Sequence, residues 1–486
     1  PFAATGSAVW NSEKIALELD AENPRALMSG ETTNVAMKID SAPVTFSFDG
    51  AARSAPAVGL QGALELDMPS IRDLAAWTGN PLELPGEGLG PFNVAGQLEM
   101  TGAKVALTEA KLKLDEIAGE GQFSVDATGA KPMIKAELTV DQLNVNPYLP
   151  PEQEPAEAGQ AGQAGSDGAA DAPAEGWSDA PIDVSGLAAL NADLAFNAGG
   201  IQFKDVKIGQ SRLTVVLQDS KLTADLAEMQ LYEGSGKGKV VVDGSSGKPA
   251  ITADFDLANF QAGPFLDDLA DFDRILGTTE SKLAVQTTGA SQLELVSNLA
   301  GNGAVVFRDG AIKGINIAAM LRNISTAAID QSFDEAATTD FAELSGTFTI
   351  DKGIVTNKDL SLVAPLVRMT GEGQIPLPPR TVDYVVKPKL VGSIEGQGGA
   401  SELAGVTVPI KVSGPWSDIS YKPDLEGMLK DQVKDPAAVL EKLEEGGGAK
   451  ELLEGLKPGG SGTDEGAGSD DGSGSPLDLK KKLLGN

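Results

Sequence analysis

The chain lacks the side chains that most enzymes use for nucleophilic attack and proton transfer. It has 486 residues, with no His and no Cys. This composition excludes zinc sites built from Cys or His, cysteine nucleophiles and every Ser-His-Asp arrangement. It also removes the side chain best suited to proton transfer near pH 7.

Two short motifs come closest to a chemical site, and both are better explained otherwise. Gly244–Lys248 resembles a phosphate-binding loop, but Pro249 replaces the required Ser or Thr, and a strand is predicted where a helix is needed. Four aspartates between Asp267 and Asp273 lack the spacing of a calcium loop and are typical of a solvated helix start.

Carboxylate pairs do not indicate an active site either. With 70 Asp and Glu residues, chance pairs are expected, so no single pair is an argument for acid-base catalysis. We therefore predict no catalytic residue, no metal site and no cofactor, and expect a protein that is not an enzyme.

The charge balance excludes a further class of function. The net charge is −32 at pH 7, a field that repels phosphate backbones, so nucleic acid is not an expected partner. Hydrophobic residues make up 41% of the chain, enough for a folded core, whereas aromatic residues are only 5% and Gly numbers 58. Thin strands and turns suit this composition better than one thick core.

A segment of 31 residues occurs twice without a gap, with ten identical positions. The copies run from Gly119 to Leu149 and from Gly236 to Leu266. Each begins Gly-x-Gly, turns at Lys-Pro and ends Pro-aromatic-Leu. A repeat of this length indicates one supersecondary unit used more than once, so the function is expected to lie in the shape of an array.

Alternation of apolar and polar residues predicts strands through most of the chain. Residues 44–48 and 63–67 are clear examples, and Lys352-Gly353 is a tight hairpin signal. Residues 69–77 predict a short helix capped by Ser70, and the apolar spacing predicts a longer helix near 315–333. The fold class is therefore mostly β: an elongated, twisted antiparallel repeat sheet that forms a groove or open half-barrel, with a few short amphipathic helices and disordered segments.

Composition divides the chain into five regions. A stretch rich in Ala, Gly, Glu and Pro interrupts the strands and is expected to be a disordered acidic insertion in a loop, with a true linker as the alternative. The predicted regions are 1–150, a β repeat region; 151–178, the insertion; 179–425, a second β region; 426–457, short amphipathic helices; and 458–486, a disordered tail with a basic-apolar end.

The strands of the two repeat copies each place apolar side chains at one parity. Such a face is the filled core of a sandwich, a face covered by helices, or an open groove, and a groove of this kind would hold acyl chains by continuous apolar contact. The candidate lipid-facing residues are Phe123, Val125, Ile134, Leu138, Val140, Val240, Val242, Ile251, Phe255 and Leu257.

Several motifs resemble the AsmA family of bacterial proteins. They are the run DGAIKGINIAAMLRNI at Asp309–Ile324, the run from Thr339 to Leu377, the strand DYVVKPKL at Asp383–Leu390, and GPWSDISYKPDL at Gly414–Leu425. The repeats upstream are similar to modules of the same family. The resemblance extends from about Pro43 to Leu425, apart from the insertion.

The resemblance implies an envelope protein of a Gram-negative bacterium. Members of this family are tied to outer-membrane biogenesis and lipid homeostasis, and they are related to TamB and the bridge-like lipid-transfer proteins. It implies a periplasmic β domain anchored to the inner membrane, with a phospholipid or other acyl lipid as ligand. Because no span of 18 apolar residues occurs, the anchor is expected in a missing N-terminal segment.

The alternative function is a periplasmic scaffold without enzymatic activity. It would regulate outer-membrane protein assembly through contacts with other envelope proteins. In that case the apolar face would be a filled core and would hold no lipid.

Overall fold

A computed structural model describes residues 1–82, 86–149, 176–319, 337–391, 407 and 409–423. All of these residues belong to one compact unit. They form one sheet of 22 strands with four short helices. The prediction of a mostly β, antiparallel repeat sheet is confirmed.

The first nine strands form an antiparallel meander in which each strand pairs with the next along the chain. They are β1 Phe2–Trp10, β2 Glu13–Ala21, β3 Thr33–Asp40, β4 Thr45–Arg53, β5 Gly59–Met68, β6 Phe92–Thr101, β7 Lys104–Leu114, β8 Ile117–Asp126 and β9 Met133–Asn144.

A second antiparallel meander contains the remaining strands, again in chain order. They are β10 Asn191–Phe203, β11 Val206–Gln218, β12 Lys221–Leu231, β13 Gly234–Asp243, β14 Ala250–Gln261, β15 Ile275–Thr288, β16 Ala300–Lys313, β17 Thr338–Asp351, β18 Ile354–Val363, β19 Val367–Pro376, β20 Thr381–Leu390, β21 Ile410–Pro415 and β22 Ser420–Pro423.

The two meanders join through a parallel pair, β9 with β10. The chain that connects parallel strands must return from one end of the sheet to the other. Its last part, residues 176–190, runs along the strand ends: Ile182 N–H donates to Ala290 O (2.8 Å), and Trp177 Nε1 donates to Leu377 O (2.7 Å). The Arg380 guanidinium lies over the Trp177 ring at 4.5 Å. Residues 176–178, at the end of the predicted insertion, thus make defined contacts.

Short helices occur only at strand ends in this part of the chain: α1 Pro24–Ser29, α2 Ile71–Trp77, α3 Ala262–Ala270 and α4 Gln292–Ser297. Ser70 caps α2 as predicted, because its side chain accepts a hydrogen bond from Asp73 N–H. Ser291 caps α4 in the same way through Glu294 N–H.

Alternate turns of a meander fall at opposite ends of its strands, so the sheet has two rims. Rim A holds the turns at residues 101–104, 126–133, 218–221, 243–250 and 351–354, together with α4. Rim B holds the turns at residues 114–117, 203–206 and 231–234, together with α3. The predicted Lys352-Gly353 hairpin is confirmed on rim A, where both residues have positive φ (48° and 71°), as a tight two-residue turn requires.

The prediction that Asp267–Asp273 begins a helix was wrong. Helix α3 starts at Ala262, directly after β14, and Asp271 is its left-handed C-cap (φ 52°). Pro264, whose fixed φ suits the first turn of a helix, is the third residue of α3. Asp268 near the helix end accepts a hydrogen bond from Tyr232 OH (2.6 Å) and lies 3.5 Å from Lys207 Nζ.

Three predicted segments lie wholly or mostly outside the described residues. Residues 317–319 are helical and Ile317 is buried, but the rest of the predicted helix near 315–333 is outside. The bulk of the 151–178 insertion and everything after residue 423 are outside as well. The structures assigned to these three segments from the sequence stay predictions.

The Gly-x-Gly motif of each repeat has a packing reason. The glycines share the apolar face with large side chains of the next strand, which lie flat across them. A Cβ at Gly238 would sit 2.6 Å from the Phe255 ring, and one at Gly236 would sit 2.6 Å from Leu257. At Gly303 a Cβ would meet the Phe348 ring at 2.3 Å. A glycine therefore makes room for an aromatic side chain to cover the neighbouring backbone.

We predict that Gly238→Val destabilises the sheet by about 1–3 kcal/mol, because the Phe255 ring must leave its place over β13. The measurement is the midpoint of chemical unfolding. Gly6→Val on β1 is the control, since nothing lies within 4 Å of a Cβ there, and it should change stability by less than about 0.5 kcal/mol. Equal effects of the two substitutions would contradict this account of the motif.

Candidate functional site

The structure places all ten predicted residues on one face of the sheet. In the first copy Val125 is directly opposite Ile134, and in the second Val242 is opposite Ile251. The remaining members follow at two-residue steps along β8, β9, β13 and β14, so they point to the same side. We call this side the apolar face.

The apolar face continues through the neighbouring strands. Ala192 of β10 is in register with Ile134, although these two strands are parallel. Leu222 of β12 is opposite both Val242 of β13 and Leu217 of β11. The two repeat copies are therefore parts of one surface and not two separate cores.

Exposure of the apolar face changes from one rim to the other across β12–β15. Near rim B its side chains are buried: Met229 is 4% exposed and Phe260 is 3% exposed. Near rim A the corresponding side chains, Leu222, Val242 and Ile251, are only half-buried. These side chains thus keep part of their surface exposed, while Val184 and Leu187 lie against Gly244 at the rim-A end of β13.

Helix α3 accounts for the closed side. It contacts β11, β14 and β15, so it lies across the rim-B ends of these strands. Ala262 at its start is fully buried, and the Phe265 ring packs edge-on against Phe260 (5.0 Å) and Tyr232 (5.6 Å). These aromatic contacts seal rim B over the second repeat.

The first repeat closes rim B with a hydrogen bond at the equivalent place. Tyr148, which aligns with Phe265, donates its hydroxyl to Asp115 Oδ2 (2.7 Å). Asp115 also accepts from Leu89 N–H (3.0 Å) and Gly90 N–H (2.8 Å). The terminal Pro-aromatic-Leu of each copy is therefore a rim-B closure.

The pKa values of the four tyrosines are raised by burial, and two of these tyrosines belong to the rim-B closures. Burial, assisted by the bond to Asp268, raises the pKa of Tyr232 to about 12. Burial and the bond to Asp115 raise the pKa of Tyr148 well above its usual value. Burial also raises the pKa of Tyr384 to about 12 and that of Tyr421.

Between β2 and β7 the apolar face is filled by its own side chains. Phe48 is 2% exposed and Leu107 is 1% exposed, and they belong to a cluster that extends from Ala21 to Ala110. This region is a packed core, and a smaller cluster of Met229, Leu231, Leu257 and Phe260 lies near rim B of β12–β14.

The opposite face of the sheet is polar. A hollow of about 870 Å³ is lined by residues of β12–β17, and its charged members include Lys239 and Asp254. Lys282 and Asp256 form an ion pair there (3.6 Å) that is largely exposed, so it contributes little to stability. The charges are solvated and balanced in sign.

A prediction based on strict alternation leaves out part of the apolar face. Phe260 is three residues beyond Leu257, yet both point to the same side, because Asn259 adopts a left-handed conformation (φ 56°) at a register shift. Met229 follows Leu226 across a similar shift. Asn tolerates positive φ, so Asn259 is the one sequence signal for such a bulge.

Within the described ranges, no group of three or more His, Cys, Asp or Glu residues is arranged to hold a metal ion. None of the helices in the same ranges has the length and apolar character needed to cross a membrane.

Comparison with known proteins identifies the family. The model of the AsmA family matches residues 13–360. Protein AsmA of Escherichia coli (strain K12) is 24% identical over 386 residues, which is 76% of this chain and 61% of the relative. The chain thus spans less than two thirds of the length of that relative. No solved structure matches.

We predict that the four tyrosines resist ionisation in the folded protein. Because their folded pKa values are raised above the ordinary value of about 10, the unfolded state loses protons first, and stability falls as the pH rises from about 10 toward 12. Absorbance titration at 295 nm should therefore show phenolate forming together with unfolding. The same titration in guanidinium chloride is the control. Phenolate formed at pH 10 in a protein that is still folded would contradict the burial of these tyrosines.

Proposed function

Because the chain belongs to the AsmA family, we propose that it is a non-enzymatic envelope protein that accommodates acyl chains of phospholipid on its apolar face. The site of accommodation is the half-buried part of that face on β8–β9 and β12–β15. The face needs only continuous apolar contact for this role. The protein would act in the periplasm and be held at the inner membrane. Its role there would be in outer-membrane biogenesis and lipid homeostasis.

The observation that carries the proposal is the gradient of exposure across β12–β15. Side chains near rim B are sealed by α3, while Leu222, Val242 and Ile251 near rim A keep part of their surface available. Half-buried apolar side chains in a row favour an apolar ligand.

The energetics suit a passive mechanism. Each methylene transferred from water to an apolar surface contributes about 0.8 kcal/mol, so a chain of a dozen methylenes binds without any directed polar contact. The headgroup remains in water at a rim. No bond is made or broken, so the absence of His and Cys is no handicap.

The scaffold function is favoured by a separate observation. Between β2 and β7 the apolar face is packed, with Leu107 only 1% exposed. If the same packing governs the whole sheet in solution, the protein would act through contacts with envelope proteins. Lipid content decides between the two functions.

We predict that Val125→Asp with Val242→Asp removes most bound lipid, because two carboxylates on the apolar face are incompatible with acyl contact. The matched control is Ser124→Asp with Val241→Asp. These neighbours are also half-buried, but they point to the polar face. Bound phospholipid would be quantified by mass spectrometry of organic extracts, with circular dichroism to confirm folding.

Equal lipid content in the two folded variants would overturn the placement of the ligand on the apolar face. Wild-type lipid at the level of a size-matched control protein would favour the scaffold function instead.

A further inference from the structure

The lysine of the Lys-Pro turn is the element of the repeat that neither the core nor the closures explain, whereas Pro249 is buried. The structure places both turns on rim A, beside the part of the apolar face that is half-exposed. Lys131 precedes β9 and Lys248 precedes β14. Lys131 is half-buried, and the side chain of Lys248 is 61% exposed.

Other residues already hold the turn together in both copies. Asp126 accepts hydrogen bonds from Thr128 N–H (3.0 Å) and Thr128 Oγ1 (2.6 Å). Asp243 accepts the same pair from Ser245, at 3.0 and 2.6 Å. The turn is therefore built by Asp and its hydroxyl partner.

The proline carbonyl fastens each turn to the strand or loop beside it. Pro132 O accepts from Asn191 N–H (2.8 Å), and Pro249 O accepts from Gly289 N–H (3.2 Å). The ammonium groups of the two lysines take no part in these bonds. Lys248 does lie 3.3 Å from Glu294 Oε2, but both side chains are exposed, so that pair is weak and exchangeable.

The two rims differ in charge at the repeats. On rim A, Lys104 and Lys131 accompany Asp126, and Lys221 and Lys248 accompany Asp243. Glu294 of α4 adds one carboxylate beside Lys248.

On rim B, the turns of the same repeats carry acids without a Lys or Arg: Asp115 and Glu116 in one, Glu233 in the other. The α3 segment adds the aspartates of residues 267–273. Asp219 on rim A and Lys204 and Lys207 on rim B reduce the contrast, but rim B remains the more acidic of the two and repels an anionic group more strongly.

We propose that Lys131 and Lys248 bind the phosphate of phospholipid headgroups whose acyl chains lie on the apolar face. This inference rests on the proposed function. Each lysine is three residues from a candidate face residue, Ile134 or Ile251, which is about 10 Å along an extended strand. A phosphate at rim A would therefore direct the acyl chains inward, toward the closed rim B. The lipid would be held in one orientation across the sheet.

The test compares two ligands that differ only in the headgroup. Dioleoyl phosphatidylglycerol or dioleoylglycerol is presented to the purified chain at equal concentration in the same detergent, and bound lipid is quantified by mass spectrometry after gel filtration. We expect Lys131→Ala with Lys248→Ala to lower phosphatidylglycerol binding by about fivefold per lysine, and to leave dioleoylglycerol binding unchanged.

The matched control is Lys135→Ala with Lys239→Ala. These lysines belong to β9 and β13, are exposed on the polar face, and remove the same charge. They should change neither ligand by more than about twofold.

Three outcomes overturn the inference. Unchanged phosphatidylglycerol binding in the Lys131/Lys248 variant would refute the headgroup contact while leaving acyl binding intact. An equal loss in the control variant would show that only net charge matters. Binding of neither ligand by the wild-type chain would refute the proposed function itself, and the headgroup contact with it.

Discussion

A single-layer sheet has two faces, and a face lined by apolar side chains is unfavourable unless it is shielded from water. Here one face is lined by valine, leucine, isoleucine and phenylalanine over successive strands of two meanders, and no second sheet packs on it within the described residues. The fold must cover that face with its own parts or leave it to a ligand. Glycines under flat-lying rings, the helix on rim B and the self-packed cluster of β2–β7 are the parts that cover it. What remains half-buried includes side chains of β8–β9 and β12–β15, and the proposed function follows from that remainder.

The repeat explains how this arrangement is built twice. The Gly-x-Gly start accepts large side chains from the next strand, the Lys-Pro turn forms rim A, and the Pro-aromatic-Leu end closes rim B. The closure is chemically different in the two copies, a hydroxyl bond from Tyr148 to Asp115 in one and ring packing of Phe265 in the other. Function at the level of shape tolerates this exchange, since both devices seal the same place.

Much of the fold could be predicted from the sequence, because alternation with period two is a direct consequence of strand geometry. The strands, the capped helix at Ile71–Trp77 and the shared face of the ten candidates were all available from the pattern. The start of α3 was not, because acidic residues favour helix N-termini only on average, and here the aspartates lie in the second half of the helix and beyond it. Phe260 was not among the predicted residues, because a bulge at Asn259 shifts the alternation of side chains between the two faces of the sheet. The gradient of exposure depends on which strands lie beneath α3, and this is a tertiary contact without a local signal.

We propose above all that acyl chains occupy the half-exposed part of the apolar face. Mass spectrometry of organic extracts from the purified chain, beside a size-matched control protein, tests it most directly. We predict phospholipid at one or more molecules per chain, well above the control. Phospholipid at the control level would contradict the claim and would leave the sheet as a filled scaffold whose partners are proteins.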